Sequence, residues 1–408
     1  MNRKENPSRA KLLSIALDNN HIDLLAHIFE LPSHFKSENE RNMKKSKAFD
    51  LKKAMMSASV NANSSNSLAA NWQSLVQMNS ELAKSEDAVQ AFEVQKKLHP
   101  RFNAAFATSS GNWCVPALHV VCRNTFYLAS LSDGETKETN KEMAVTLLQE
   151  SFSRTINDRT KYNPKESLST TGSKKCGVLL IVNLLFRIYF KLNKLRLCKN
   201  LLKAVEVQSL HKSSDMTQRI VFNYYVGRLY LFEDNFDRAE ECLDFCLRKE
   251  RDSANRKRIL NFLVPVRLLK GKLPSQQLLE TYAMHPYMSL IDGLMVGNLE
   301  QFSRALDKNS ELFLKRGVFL LLEKCKFIAY RNLFKRCWLI LEKSSQISLA
   351  QLLKAFKFCG KQVDLDEIEC VLANLIYKGY IKGYLSHTKR MLVLSKRDPF
   401  PTGAVISK

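Results

Sequence analysis

Lys378, Lys382, His387, Lys389 and Arg390 lie close together near the end of the chain. Cationic side chains of these types pair with phosphate oxygens, and such binding is salt-dependent and mostly blind to base sequence. Tyr380 and Tyr384 interleave with them and offer ring faces on which a base can stack. The same residues also fit a plainer role, with lysines keeping an edge strand soluble and Tyr384 packed beneath it. A second set comprises Lys324, Lys326, Arg331, Lys335 and Arg336. Lys324, Arg331 and Lys335 follow one another at helical spacing, so they share a helix face that extends the first patch or is simply solvated. The densest basic stretch holds Arg248, Lys249, Arg251, Arg256, Lys257, Arg258, Arg267 and Lys270. Beside Phe262, Leu263 and Leu268 it suits an acidic chain with aromatic anchors that orders on binding; a solvated basic helix face has the same composition.

No catalytic constellation accompanies these cations. The eight histidines have no metal-ligand spacing, and there is no Gly-x-x-x-x-Gly-Lys-Ser/Thr loop or Gly-x-Ser-x-Gly elbow. Ten cysteines form no Cys-x-x-Cys pair. Cys242 and Cys246 stand one helical turn apart, and Cys325, Cys337 and Cys370 fall on apolar stripes, as core thiols of a reducing compartment do. We therefore expect a non-enzymatic protein with no cofactor and no metal.

The elements that must position the terminal cations read as helix, helix, helix, strand, turn, strand. From Gly317 to Leu341 apolar residues recur at helical spacing. Ser348 caps an expected helix over Leu349–Phe358, and Asp364 caps another over Leu365–Tyr377, with Asp366 and Glu367 in its first turn, where the helix dipole favours them. Residues 381–387 and 391–396 flank the polar turn Thr388-Lys389-Arg390 and predict a β-hairpin. Three helices with a two-stranded wing make a winged helix, which binds nucleic acid through its third helix and wing or docks on another winged helix.

Upstream, helical hairpins recur. Residues 175–191 pair with 195–207, and 217–231 with 237–248. The second pair has the small residues Gly227 and Ala239 that let tetratricopeptide-like helices approach closely. A helix over 256–269 follows, then one after Ser275, then a hairpin of 287–295 and 299–307. The fold class is all-α: a solenoid of helical pairs capped by a C-terminal winged helix with a small β-hairpin. The expected organisation is an N-terminal helical segment (1–31), a polar linker (32–68), N-terminal helical repeats (69–156), the repeat part of a larger domain (175–310), its winged helix (311–396) and a tail (397–408). The loop at 157–175 is a plausible internal boundary. Trp72, Phe92, Phe102, Phe106, Trp113 and Phe126 are expected core anchors in the N-terminal repeats.

Composition agrees. Thirteen glycines and ten prolines in 408 residues are few against an average near 12% for the two together. The formal charge of +23 points to acidic partners: nucleic acid, an anionic membrane surface or an acidic polypeptide. The longest apolar run, residues 177–190, is broken by Asn183 and Arg187 and is shorter than the ~20 residues of a membrane span, so no membrane partner is expected. The first residues, Met-Asn-Arg-Lys-Glu, precede no apolar signal region, which leads us to expect a cytosolic or nuclear protein; Lys44–Lys47 is a candidate import signal.

Several stretches carry a resemblance. Residues 182–199, Tyr224–Arg228, 262–271, 330–336, and above all 372–387 with Asp398-Pro-Phe-Pro401, are similar to the PCI domain-containing protein 2 family, relatives of fungal Thp and Csn-type subunits. The resemblance runs over 175–401 and leaves the region before 110 uncovered. It implies the PCI architecture and a subunit of the TREX-2 complex, which couples transcription to nuclear mRNA export at the nuclear pore. The implied partners are a large Sac-type or germinal-centre-associated PCI scaffold, paired winged helix to winged helix, a small acidic Dss/Sem-type chain, and RNA or DNA on the joined basic surface. The alternative is a purely structural PCI subunit of a COP9-signalosome- or proteasome-lid-like assembly without nucleic-acid binding.

Overall fold

The computed structural model describes residues 26, 29–31, 66–133, 138–164, 168–169, 171–212 and 215–401, with side chains from 74 onward in the first long segment. The Lys44–Lys47 cluster, Trp72 as an anchor, and most of the N-terminal helical segment expected at 1–31 lie outside what is described. The chain forms two compact units, divided between Tyr225 and Val226.

In the first unit, α1 (Asn66–Lys84), α2 (Ala88–Thr108), α3 (Val115–Ser132) and α4 (Thr139–Ile156) pack in succession. A 3-10 turn (Lys174–Gly177), α5 (Val178–Lys191), α6 (Leu195–Val207) and the start of α7 (Met216–Phe232) complete it. Spacings of three and four explain α2, whose Phe92, Leu98, Phe102 and Phe106 are buried on one face. Trp113 is buried as expected, whereas Phe126 is only half-buried and lies beneath Arg187 and Lys191. α5 is buried on nearly every side, which accounts for an apolar run broken only by Asn183 and Arg187. One polar cluster crosses this core. The His99 ring stands 2.6 Å from Thr125 Oγ1 and 2.7 Å from Ser151 Oγ. Burial holds its pKa down, to about 3, so the ring is neutral.

The second unit carries the rest of α7, α8 (Phe236–Lys249), α9 (Ser253–Leu269), the short α10 (Gln276–Thr281), α11 (His285–Val296) and α12 (Leu299–Lys308). Asn235, Asp252, Ser275 and Asn298 cap α8, α9, α10 and α12 through side-chain oxygens. Gly227 packs as its type suggests: a Cβ there would stand 2.9 Å from Leu243 Cγ and 3.3 Å from Cys242 Cβ.

The winged module follows. α13 (Ser310–Arg316) leads into α14 (Phe319–Lys324) and α15 (Lys326–Ile340). The single helix expected over 317–341 is therefore interrupted at Cys325. The two pieces take different main partners: α14 lies against α9 and touches α12, while α15 lies against α11 and α12. β1 (Gln346–Ser348), α16 (Leu349–Phe358), α17 (Leu365–Tyr377), β2 (Gly383–Ser386) and β3 (Met391–Leu394) complete it. Ser348 caps α16 in a capping box with Gln351, and Asp364 caps α17. The wing has three strands rather than two. β3 pairs antiparallel with both β1 and β2. Ile347, Leu392 and Leu394 point into a core closed by Leu352, Phe356, Ile368 and Leu372.

Candidate nucleic-acid and acidic-partner surfaces

The wing sets its cations apart from one another. Lys378 caps the end of α17 and places Nζ 3.7 Å from the centre of the Phe327 ring, a cation–π contact. Lys382 stands 3.6 Å from Asp398, and His387 Nδ1 stands 2.9 Å from Glu369 Oε1. Lys389 and Arg390 project exposed from the turn before β3, and Arg390 takes φ 46° to close it. The two tyrosines part company. Tyr384 is 62% exposed on β2, available for stacking, whereas Tyr380 is buried at 7%, and burial pushes its hydroxyl up to about 12. Tyr380 is a core residue and stacks on no base.

The second set does not share a face. Lys324 ends α14 and bonds Asp234 at 2.6 Å beside the Phe236 ring. Lys335 is half-buried on α15. Arg331, expected to touch nucleic acid with them, is 7% exposed and faces inward. It donates to the carbonyl oxygens of Phe400 and Pro401, the latter at 3.0 Å, and to Asn332 Oδ1 at 2.8 Å. Phe400 packs on Trp338 with ring centres 5.6 Å apart, and Lys382 N–H donates to Pro399 O at 2.9 Å. Residues 398–401, expected to begin a tail, are thus fastened across the module. Arg336 and Asn332 also work internally, donating to Val296 O and Leu294 O at the end of α11.

The basic stretch of 248–270 meets carboxylates from its own neighbour. Asp237, Glu240 and Asp244 line one face of α8 at spacings of three and four. Lys270 reaches Asp237 at 2.6 Å and Glu240 at 2.7 Å; Lys272 reaches Glu240 at 2.9 Å. Arg267 bonds Asp244 at 2.6 Å, which also holds Arg248 at 3.1 Å. Burial pushes the Glu240 carboxyl up, but hydrogen bonds and charge from Lys270 and Lys272 outweigh it and hold the group below its ordinary value. For Lys270, burial is likewise outweighed by Asp237 and Glu240, and its pKa is raised. Arg256 donates to Tyr282 Oη at 2.6 Å and to the carbonyls of Leu247 and Glu250, tying α8 to α9 and α10. Phe262 is buried, with the Arg228 guanidinium 4.7 Å from its ring centre, and offers no anchor to a partner. Of this set Arg248, Lys249, Arg251 and Arg258 are exposed and Lys257 half-buried around the α8–α9 junction, with Arg248 also bridged to Asp244. The carboxylates that answer these cations were missed in the sequence, although the i, i+3, i+7 spacing of Asp237, Glu240 and Asp244 is a legible signal.

Among the described residues, no group of three or more His, Cys, Asp or Glu side chains is arranged to hold a metal ion, and no helix is long and apolar enough to cross a membrane.

The winged module, with the last residues of α12, matches the PCI domain over residues 306–396. PCI domain-containing protein 2 of Xenopus laevis is 37% identical over 323 residues, covering 78% of this chain and 81% of that protein. The protein of that name from Danio rerio is 36% identical, with 79% and 82% covered. Protein CSN12 homolog of Schizosaccharomyces pombe is 30% identical, with 82% and 84% covered. With helical pairs leading into a winged module in the fold and these relatives matched over most of their length, the chain belongs to the PCI domain-containing protein 2 family, proteins of the scaffold-subunit type.

Proposed function

We propose that this protein is a non-catalytic scaffold subunit of a TREX-2-like complex that couples transcription to nuclear mRNA export. In this reading its winged helix pairs with that of a Sac-type PCI scaffold, its helical repeats receive a small acidic Dss/Sem-type chain, and the joined module contributes to RNA or DNA binding in the nucleus, at the nuclear pore. The observation that carries the nucleic-acid part is the wing: Lys389 and Arg390 are exposed on its turn and Tyr384 is exposed on β2 of the same hairpin, in a chain of formal charge +23. Acidic-chain docking rests on Arg251, Lys257 and Arg258, because the cations further along α9 already meet α8.

The test is purification of the tagged native protein in moderate salt, with identification of what stays bound, followed by charge reversal at Lys378, Lys382 and Lys389 in the assembled complex. Recovery of the scaffold and the small acidic subunit, with weakened nucleic-acid binding in the variant, is the expected result. Recovery of signalosome or proteasome-lid subunits, with no change in nucleic-acid affinity, favours the purely structural reading. One observation speaks for that second reading: Lys324, Lys382 and His387 each stand beside a carboxylate of the chain itself.

A further inference from the structure

The geometry points to the outer face of the three-stranded wing sheet as a platform for single-stranded nucleic acid, with a base stacked on Tyr384, and away from groove reading by α17. This rests on the proposal that the basic wing binds nucleic acid and names the form it takes.

The first ground is α17. The third helix of a winged module is the one that would enter a major groove, where phosphates crowd it on both sides. Here its cap and exposed first turn carry Asp364, Asp366 and Glu367, with Glu369 one turn on. Its cation, Lys378, stands at the far end and lies over Phe327. Inserted into a groove, this helix would set several carboxylates against two phosphate rows, and like-charge contacts of this kind disfavour the complex.

The second ground is the sheet. Alternation along β3 sends Leu392 and Leu394 into the core and leaves Met391 and Val393 half-exposed on the other side. The register places Tyr384 and Gln346 on either side of Val393, and Ser386 and Ser348 on either side of Met391. The outer face is therefore a strip with one exposed ring and no carboxylate among these six residues. Cations stand beyond both ends of β2: Lys389 with Arg390 at the turn, and at the other end Lys382, exposed but 3.6 Å from Asp398. Ring faces flanked by cations are the arrangement by which single strands are held without base preference. A duplex presents its bases already stacked and cannot use the ring.

The experiment is equilibrium binding of the full chain, by fluorescence anisotropy, to single-stranded RNA, single-stranded DNA and a duplex of equal length. The variants are Tyr384→Ala, Tyr384→Phe and the pair Lys389→Glu with Arg390→Glu. Tyr384 is exposed, so its variants keep the fold. We expect both single strands to bind about tenfold more tightly than the duplex, Tyr384→Ala to lose about tenfold on single strands alone, and Tyr384→Phe to retain wild-type affinity. The inference is overturned if the duplex binds as tightly as the single strands, or if Tyr384→Ala binds them like wild type while charge reversal weakens both forms. In that case the basic-wing reading stands and the platform does not. If no oligonucleotide binds and charge reversal changes nothing, the underlying reading fails as well.

Discussion

The α8–α9 pair and the wing tip are both rich in cations, yet their chemistry is opposite. Along α9, Arg267 and Lys270 lie against a row of carboxylates and are spent on holding two helices together. At the wing, Lys389 and Arg390 stand on a turn with solvent around them. The comparison teaches that basic density in a sequence measures charge and not availability. A cation facing a helix whose own face is acidic is part of the scaffold; a cation on a hairpin turn, where no neighbouring helix can reach it, is free to meet a partner.

Variants can break or sharpen this contrast. The largest effect is expected at Arg331, a cation almost wholly withdrawn from solvent. Arg331→Met leaves the carbonyls of Phe400 and Pro401 without their donor and should cost about 2–4 kcal/mol of stability, measured by denaturant unfolding; an unchanged midpoint would return Arg331 to the list of surface cations. Glu240→Gln comes next. Its bridges lie between fully buried and fully exposed pairs, so we expect a loss of about 1–2 kcal/mol. The sign with pH follows from the depressed carboxyl: the contribution is present above the ordinary carboxylate value and is lost as the pH falls through the lower folded-state value. An acid titration of stability should therefore be shallower in Glu240→Gln than in wild type. Charge reversal at Lys389 and Arg390 should do the converse, leaving the unfolding midpoint in place while lowering nucleic-acid affinity and flattening its salt dependence by roughly 0.7 per lost phosphate contact on a single strand. The smallest effect is expected for Lys257→Glu with Arg258→Glu. Stability should change by under about 0.5 kcal/mol, while affinity for a small acidic chain, read by calorimetry, should fall several-fold; an equal fall for Lys270→Ala would mean that the α8 carboxylates yield to the partner after all.

Much of this architecture was legible because local signals and packing agree. The caps at Ser275, Ser348 and Asp364, the hairpins around Gly227 and Ala239, and the turn before β3 all stand where their residue types place them. The misses share a cause. Periodicity tells which face of an element is buried but not what lies against it. β1 is three residues long, and its pairing is decided by β3, far along the chain. The break at Cys325 falls between two pieces with different main packing partners. Arg331 reads as surface charge because an arginine on a helix ordinarily is; only the return of residues 398–401 buries it. In the same way Tyr380 and Tyr384 look alike in sequence, but Tyr380 lies in the connection before β2 and is buried, while Tyr384 stands exposed on the strand itself.

Gly297 ends α11 at φ 72°, with the backbone of Leu333 on α15 so near that a Cβ at 297 would overlap it. Contacts of backbone on backbone have no side chain between them to bend. At this point α11 and α15 therefore meet backbone to backbone, and any side chain at 297 would have to push the two helices apart. Gly297→Ala should lower the unfolding midpoint, and an unchanged midpoint would mean that the approach opens at no cost.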